Sequence, residues 1–283
     1  MQERSQRFDP RQEMRADTFE VFHYKEPRPE GVAVHHHDFY EVYYLISGQV
    51  EYWVDGRIIK MQPGDILLIN PMELHRPIVN PESPVYERIV LWIQKKYLEQ
   101  LAPAEYPLSA CFDQSLPNRI CPAGVERPVL KARMHDLVQE YYSREYGSAL
   151  YAQGLFLQLM VQLNRLALHT DWEDRSEQPL SALVQKAMEY IHENIGQPLS
   201  LEEIAGKLYV SKYHLSHTFS REAGISIYRY IMLRRLLLAR QLLSTGQSAG
   251  QVSLHCGFSD YASFYRAFKA EYGVSPREFG KAP

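Results

Sequence analysis

The stretch from Ser200 to Arg277 carries a helix-turn-helix signature twice, and no other feature restricts the fold of this chain as much. In the first copy, Ser200-Leu201-Glu202-Glu203 reads as a capping box ahead of an apolar run. The Ser200 hydroxyl can accept from the Glu203 N–H, and the Glu203 carboxylate can return to the Ser200 N–H. After Leu208-Tyr209-Val210 the chain turns, and Ser211 is placed to cap a helix over Lys212–Glu222 that stops at Gly224. Leu215 and Phe219, four apart, mark its core face; Lys212, Tyr213, Ser216, His217 and Ser220 fall on the other. The second copy comprises a short helix from Ala249 to Cys256, a turn at Gly257-Phe258, a cap at Ser259, and a helix from Asp260 to Tyr272 ended by Gly273. Here Phe264 and Phe268 anchor the core, leaving Tyr261, Ala262, Tyr265, Arg266 and Lys269 outside. Ile227 to Leu243, between the copies, is apolar enough to be a buried strut. Each unit of this kind sends its second helix into the major groove, and two can read successive grooves on one face of a duplex.

The spaced residues resemble the DNA-binding domain of the AraC/XylS family of bacterial transcription regulators. They are Leu201-x2-Ile204-Ala205, Ser211-x3-Leu215-x3-Phe219, Gly224, Arg235-x3-Ala239-x2-Leu242-Leu243, Cys256-Gly257-Phe258-Ser259, Phe264-x-Arg266-x-Phe268-Lys269 and Gly273-x-Ser275-Pro276. The likeness spans about 100 residues, a domain's worth. Two positions depart from the pattern. Gly250 lies inside a helix at a cost of roughly 1 kcal/mol against Ala, and Ser220 stands where the family has a basic residue. Phosphate contacts set register, and base edges set sequence. On the first helix Tyr213, Ser216 and His217 are therefore assigned to bases, with Lys212 and Arg221 toward the backbone. On the second, Arg266 is the candidate for a bidentate guanine contact. Tyr261, Ala262 and Tyr265 flank it, and Ser259 and Lys269 suit phosphate; core packing is the competing role for Tyr265.

A net charge of −3 argues against a nucleic-acid partner until the chain is divided. From Leu180 onward, 12 Lys+Arg stand against 8 Asp+Glu, whereas the preceding residues hold 19 against 26. The positive field thus coincides with the helix-turn-helix units. No apolar run reaches the ~18 residues of a spanning helix, and the N-terminus lacks a signal-peptide core. Cys111, Cys121 and Cys256 form neither a paired framework nor a metal spacing. A reducing cytoplasm is the expected compartment, and Cys256 is expected to be a small core residue.

Residues 1–18 read as a polar arm. Short β-type segments follow at Phe19–Tyr24, Glu41–Ile46, Val50–Val54, Ile58–Met61, Ile66–Ile69 and Tyr86–Ile93, separated by turn signals, as in a small barrel or sandwich. Within them, Gly31-x3-His35-x-His37-x3-Glu41-x6-Gly48 precedes Pro63-Gly64-Asp65 and Pro71-x3-His75-x4-Asn80. Even spacing puts His35, His37 and Glu41 on one face of a strand, with His75 arriving from a neighbouring one. The pattern resembles the two motifs of the cupin fold, although Glu73 replaces the usual glycine. The family resemblance implies a sensor barrel for a small-molecule effector, a sugar among the candidates. Tyr43 and Trp53 offer flat apolar faces for such a ring, with core packing as the competing role of strand aromatics. The same His/His/Glu/His set suits a divalent metal, and a solvated or purely structural role for these residues is a third reading.

Gln94 to Leu101 reads as a short helix, followed by a Pro-broken connection from Ala102 to Pro128. Helical periodicity returns over Val129–Tyr146 and Ala149–His169. In the latter, Leu155, Leu159, Gln162/Leu163 and Leu166 form a stripe that either packs on the barrel or forms a dimer seam. The expected organisation is an arm (1–18), a cupin-like effector domain (19–110), a helical connector with dimerisation (111–170), a linker (171–179) and a double helix-turn-helix domain (180–283) whose first helix runs from Leu180 to Asn194. The fold class is α+β: a β-barrel with connector helices and an all-α domain. The expected function is a sequence-specific transcription regulator, an activator on the family's precedent. Its partners would be double-stranded DNA, an effector, RNA polymerase and a second copy of the chain, with no membrane and no obligatory cofactor. The rival is a metal-dependent cupin enzyme, an isomerase or oxygenase, carrying an accessory DNA-binding domain.

Overall fold

Strands apolar at successive positions can serve a core on each face, and the N-terminal half is built on strands of that kind. The computed structural model describes residues 13–27, 31–113, 118–169 and 177–280. Residues 1–12 of the expected arm and 171–176 of the expected linker lie outside them. The chain divides into two units, Met1–Gln178 and Pro179–Pro283.

The strands of the first unit are β1 (Phe19–Glu26), β2 (Tyr40–Ser47), β3 (Val50–Val54), β4 (Arg57–Met61), β5 (Ile66–Ile69), β6 (His75–Val79), β7 (Tyr86–Ile93) and β8 (Arg119–Ile120). Its helices are α1 (Lys95–Leu101), α2 (Glu126–Tyr141) and α3 (Ser148–His169), and β9 (Glu177–Pro179) follows them. One sheet has the order β1-β7-β2-β5-β8 and the other β6-β3-β4-β9. The expected barrel is thus an open pair of sheets, each ending in edge strands. β5 and β8 are only four and two residues long, so the ladder on that side runs out before a ring closes.

Alternation along the strands builds two cores. Tyr43, Leu45, Tyr52, Val54, Leu67, Tyr86, Val90 and Trp92 fill the space between the sheets. Val21, Val42, Tyr44, Leu68, Ile89 and Leu91 point the other way and meet Leu130, Met134, Phe156, Leu159 and Leu163 of α2 and α3. Leu155, Leu159 and Leu163 of the α3 stripe therefore pack on the five-stranded sheet, whereas Gln162 donates to Glu126 of α2 and Leu166 is only partly buried at its edge. α2 begins three residues before the expected start, with Pro128 inside its first turn. Proline is tolerated there because those N–H groups have no partner within the helix. The last residues of the expected arm are tied down: the Arg15 and Ala16 N–H groups donate to Glu20 Oε1 at 2.8 and 3.0 Å, and Met14 packs against the inter-sheet core.

The second unit holds α4 (Ala182–Glu193), α5 (Leu201–Lys207), α6 (Lys212–Ala223), α7 (Ile227–Ser244), α8 (Ala249–His255), α9 (Tyr261–Tyr272) and α10 (Pro276–Phe279). Side chains of Ser200, Ser211, Ser226, Ser248, Asp260 and Ser275 cap α5 through α10 in succession. Each cap satisfies an otherwise orphaned N–H and is worth about 1 kcal/mol. Two expectations are corrected. The Glu203 carboxylate accepts from the Tyr190 hydroxyl at 3.1 Å, so the reciprocal half of the Ser200 box is given up to a tertiary contact. The cap of α9 is Asp260, not Ser259, whose hydroxyl donates to Asp260 Oδ2 at 3.2 Å.

Gly224 and Gly273 end α6 and α9 in the left-handed conformation. α7 is the central strut, with Leu236, Ala239 and Leu243 packing against Val252, Cys256, Phe264 and Phe268. Burial there pushes the Cys256 thiol up to about 12, as fits a core residue. The α8–α9 turn depends on Gly257. At φ +73°, a Cβ there would lie 2.7 Å from Ile195 O and 2.8 Å from Arg235 Nη2. Arg235 itself ties α7 to the loop after α4, donating to Ile195 O at 3.2 Å and Gln197 O at 2.7 Å. Gly257→Ala should therefore cost about 1–3 kcal/mol, from left-handed backbone strain and displaced Arg235 together, read as a lower urea midpoint of the helical unit by far-ultraviolet circular dichroism.

Candidate DNA interface and effector site

The two recognition-type helices present their polar faces outward. On α6, Tyr213 is 79 % exposed, His217 and Arg221 are exposed, and Ser216 is half-buried. The Tyr213 and His217 rings lie 6.2 Å apart and nearly parallel, one turn from each other. Lys212 Nζ is 2.8 Å from Glu202 Oε1 and Arg221 Nη2 is 3.2 Å from Glu222 Oε1, so both cations carry an acidic neighbour that a phosphate would have to displace. On α9, Tyr261, Ala262, Arg266 and Lys269 are exposed and Tyr265 is half-buried. Arg266 Nη2 donates to Ser263 Oγ at 3.3 Å, which holds the guanidinium along the helix. Ser259 is exposed at the start of the turn. The eleven residues assigned to DNA thus divide between two helix surfaces of one unit, each core face filled by aromatic and aliphatic side chains. Tyr209, in the first turn, is 95 % exposed with φ 55°; a bulky residue in that conformation leaves no periodic signal in the sequence.

In the β unit, His35, His37, Glu41 and His75 come together, though not along one strand. Glu41 alone lies on β2. His35 and His37 belong to the irregular segment ahead of it. His35 forms an isolated antiparallel bridge with His75, its N–H donating to His75 O at 3.1 Å and its carbonyl accepting at 2.9 Å. The His37 carbonyl accepts from the Met72 N–H at 2.8 Å. These bonds bring the His35 and His75 ring centroids to 4.2 Å and those of His37 and His75 to 4.8 Å. Side-chain donor atoms of His37, Glu41 and His75 lie within 4.8 Å of one another, and all three residues are buried.

Each of these histidines is oriented by a carbonyl two residues away. Nδ1 of His35, His37 and His75 lies 2.9 Å from Ala33 O, Phe39 O and Glu73 O respectively. A carbonyl can only accept, so each Nδ1 carries the hydrogen, and each neutral ring keeps its lone pair on Nε2. Glu41 Oε2 accepts from Trp92 Nε1 at 2.9 Å and lies 3.4 Å from His37 Nε2. Burial opposes ionisation of Glu41, but the neighbouring His37 and His35 rings and the Trp92 N–H leave its pKa below the ordinary value. Burial, with the neighbouring histidines, lowers His35 to about 4 and His75 well below its usual range. Trp92 escaped the sequence reading because its link to Glu41 comes from the β2–β7 register, where the two sit opposite.

The two aromatic residues assigned to an effector part company. Tyr43 shares the inter-sheet core, edge-on to Tyr52 and donating to the Tyr86 hydroxyl at 3.0 Å. Trp53, next to Tyr52 in β3, alternates to the opposite face of its sheet, where it is fully buried.

Residues 20–160 match the family model of the AraC-like ligand binding domain, and residues 204–282 match that of a helix-turn-helix domain. The chain belongs to the AraC family of transcription regulators. The arabinose operon regulatory protein of Escherichia coli K12 is 28% identical over 239 residues, covering 83% of this chain and 77% of its own length. The transcriptional activator RhaS of Escherichia fergusonii is 25% identical over 264 residues, covering 89% and 90%. Among solved structures, the C-terminal domain of AraT, a response regulator from Geobacillus stearothermophilus, shares 34% identity over 36% of this chain and 86% of its own, with a TM-score of 0.35. These relatives are regulators, and this AraC-family chain is a transcription regulator with a ligand-binding and a DNA-binding domain, not an enzyme. Among the described residues, no helix is long and apolar enough to cross a membrane.

The histidine cluster gives this AraC-family regulator an acid-labile β unit. Burial lowers His35 from an ordinary 6.5 to about 4 in the fold, and lowers His75 well below its ordinary range. Between those values the unfolded chain binds protons that the folded chain refuses, so stability decreases as pH falls from 6.5 towards 4. The groups facing the two rings are His36, His37 and Glu41, and the lowered pKa of Glu41 acts in the same direction. Because His35 is half-buried, its share is on the order of 2 kcal/mol. Melting curves in chelator at stepped pH should show this loss, and His35→Gln should flatten it.

Proposed function

We propose that this regulator is an effector-controlled activator that binds double-stranded DNA through α6 and α9 as a homodimer in the cytoplasm and contacts RNA polymerase there. The observation that carries the DNA part is the pairing of two capped helices on one strut, each with an outward polar face. Tyr213, Ser216 and His217 are assigned to base edges on α6, and Arg266 to a guanine on α9. Lys212, Arg221, Ser259 and Lys269 are assigned to phosphates. Release of Lys212 from Glu202 and of Arg221 from Glu222 is part of docking in this reading.

The effector is placed between the sheets, at the end formed by His35, His37, Glu41 and His75 with Tyr43 behind them. Trp53, on the far face of its strand, is left out of the assignment. A sugar is one effector class, by analogy with the arabinose operon regulatory protein. Control requires only that the effector bind the DNA-competent and incompetent states with different affinity. A second copy is assigned to the outer groove of α2 and α3, lined by Val129, Leu157, Val161 and Leu166 beside Arg133 and Arg165. The inner stripe of α3 is already used by the sheet.

Fluorescence anisotropy on an operator fragment found by footprinting tests the DNA assignment. Arg266→Ala should weaken the operator complex by about 5- to 150-fold, the equivalent of 1–3 kcal/mol, while changing binding to scrambled DNA far less. Lys269→Ala should weaken both alike and lower the salt slope by about 1. Equal losses on both DNAs for Arg266→Ala would reassign that side chain to the backbone.

A further inference from the structure

We infer that His37, Glu41 and His75, with His35 beside them, form a binding site for one divalent transition-metal ion of the Zn2+ or Ni2+ class. The inference goes beyond the effector reading and does not depend on it, since metal is measured on the protein without DNA.

The geometry makes the case through hydrogen-bond accounting. With Nδ1 of each ring directed at a carbonyl, Nε2 is the atom left to face the cluster. The Nε2 atoms of His37 and His75 are buried and, among the described residues, have no hydrogen-bond partner. A buried polar atom without a partner destabilises the fold, and this cluster holds two of them. The nearest group to His37 Nε2 is Glu41 Oε2 at 3.4 Å, itself an acceptor when ionised. Two lone pairs directed at each other need a cation between or beside them. A proton on His37 would satisfy that pair alone and leave His75 Nε2 unpaired. A metal ion satisfies all three donors together.

The surroundings are those of a prepared ligand set. Carbonyls at Ala33, Phe39 and Glu73 fix ring tautomer and orientation, and the Trp92 N–H fixes the carboxylate, which is how outer partners raise ligand basicity and affinity. The His35–His75 bridge and the bond from Met72 to His37 fix the main chain beneath three of the ligands. Imidazole nitrogen with one carboxylate oxygen favours zinc, nickel, copper or iron over the hard ions magnesium and calcium. His35 ring atoms lie outside the tight group but next to His75, in position to act as a fourth ligand or to cover the ion.

The test uses the full chain, produced without a histidine tag and purified without metal resin. Plasma mass spectrometry and titration calorimetry with ZnCl2 should give one equivalent of tightly held metal per chain. Loading with Co2+ should produce visible d–d bands of a low-symmetry N/O site. His75→Ala and Glu41→Gln should each lower Zn2+ affinity at least tenfold and remove the Co2+ bands. Glu41→Gln keeps an oxygen for the Trp92 N–H, so circular dichroism matching wild type separates lost ligation from lost folding. Titration of wild-type protein without saturable Zn2+ uptake, or uptake and Co2+ bands unchanged in both variants, would overturn the assignment.

Discussion

Burial of both faces of β7 is the constraint on which the N-terminal unit rests. All eight residues from Tyr86 to Ile93 are buried. Ile89, Leu91 and Ile93 serve the helical layer, while Tyr86, Val90 and Trp92 serve the space between the sheets. Pairing with β1 on one side and β2 on the other locks its register twice. A slip of one residue would exchange the two sets and turn Trp92 away from Glu41. The same strand carries Arg88 into the inter-sheet space. Its guanidinium lies 4.1 Å from the Tyr86 ring centre and 4.8 Å from that of Tyr24, and its Nη1 is 2.9 Å from Glu26 Oε2. A charge buried there is tolerable only with such partners. Their presence fixes β1 against β7 from a direction that apolar packing alone would not.

The helical unit follows a different rule, because most of what specifies it is local. A cap and the amide it satisfies are three residues apart, so the serines at 200 and 211 and the glycines at 224 and 273 were readable without any knowledge of the fold. Where the reading failed, a contact of longer range had intervened, or two candidates stood side by side. Glu203 could have completed its box, but the Tyr190 hydroxyl, thirteen residues earlier, takes the carboxylate. Ser259 and Asp260 are both capping residues. The carboxylate wins because it accepts the Ser263 N–H at 2.8 Å and the Ser263 hydroxyl at 2.9 Å, and because a negative charge is favoured at a helix N-terminus.

The histidine site shows the limit of reading by periodicity. The residues that converge were legible, but the reason offered for their convergence was not the one that operates. Even spacing implied a shared strand face for His35, His37 and Glu41, whereas of those three only Glu41 is on a strand. The other ligands are brought in by a bridge and a turn whose partners lie about 35 to 40 residues away, beyond what any local pattern carries. β6 gave a weak signal because Pro77 interrupts it. Proline is acceptable there because β6 lies at the edge of its sheet, where one side of the strand owes no ladder hydrogen bonds. The direction of Trp53 was illegible for the complementary reason: which face of β3 points inward is decided by Tyr52 meeting Tyr43, a tertiary fact.

The same geometry restricts how this site can signal. A ligand binding a preformed site stabilises the folded unit by mass action but shifts no equilibrium between two folded states that hold the site equally well. The part of the site with least support is the segment carrying His35 and His37, which is joined to the neighbourhood of β6 by two bonds at His35 and one from Met72. Glu41 and Trp92, by contrast, sit on adjacent, fully laddered strands. Breaking those three bonds would separate two histidines from the other donors and unstack His37 from Phe39, whose ring lies 4.0 Å away in the inter-sheet core. A state that releases the His35–His37 segment therefore loses the site, and a state that keeps it retains the site. Any ligand of these four side chains favours the second state by the full difference in affinity, so the segment ahead of β2 is the element through which occupancy can be converted into a change of conformation.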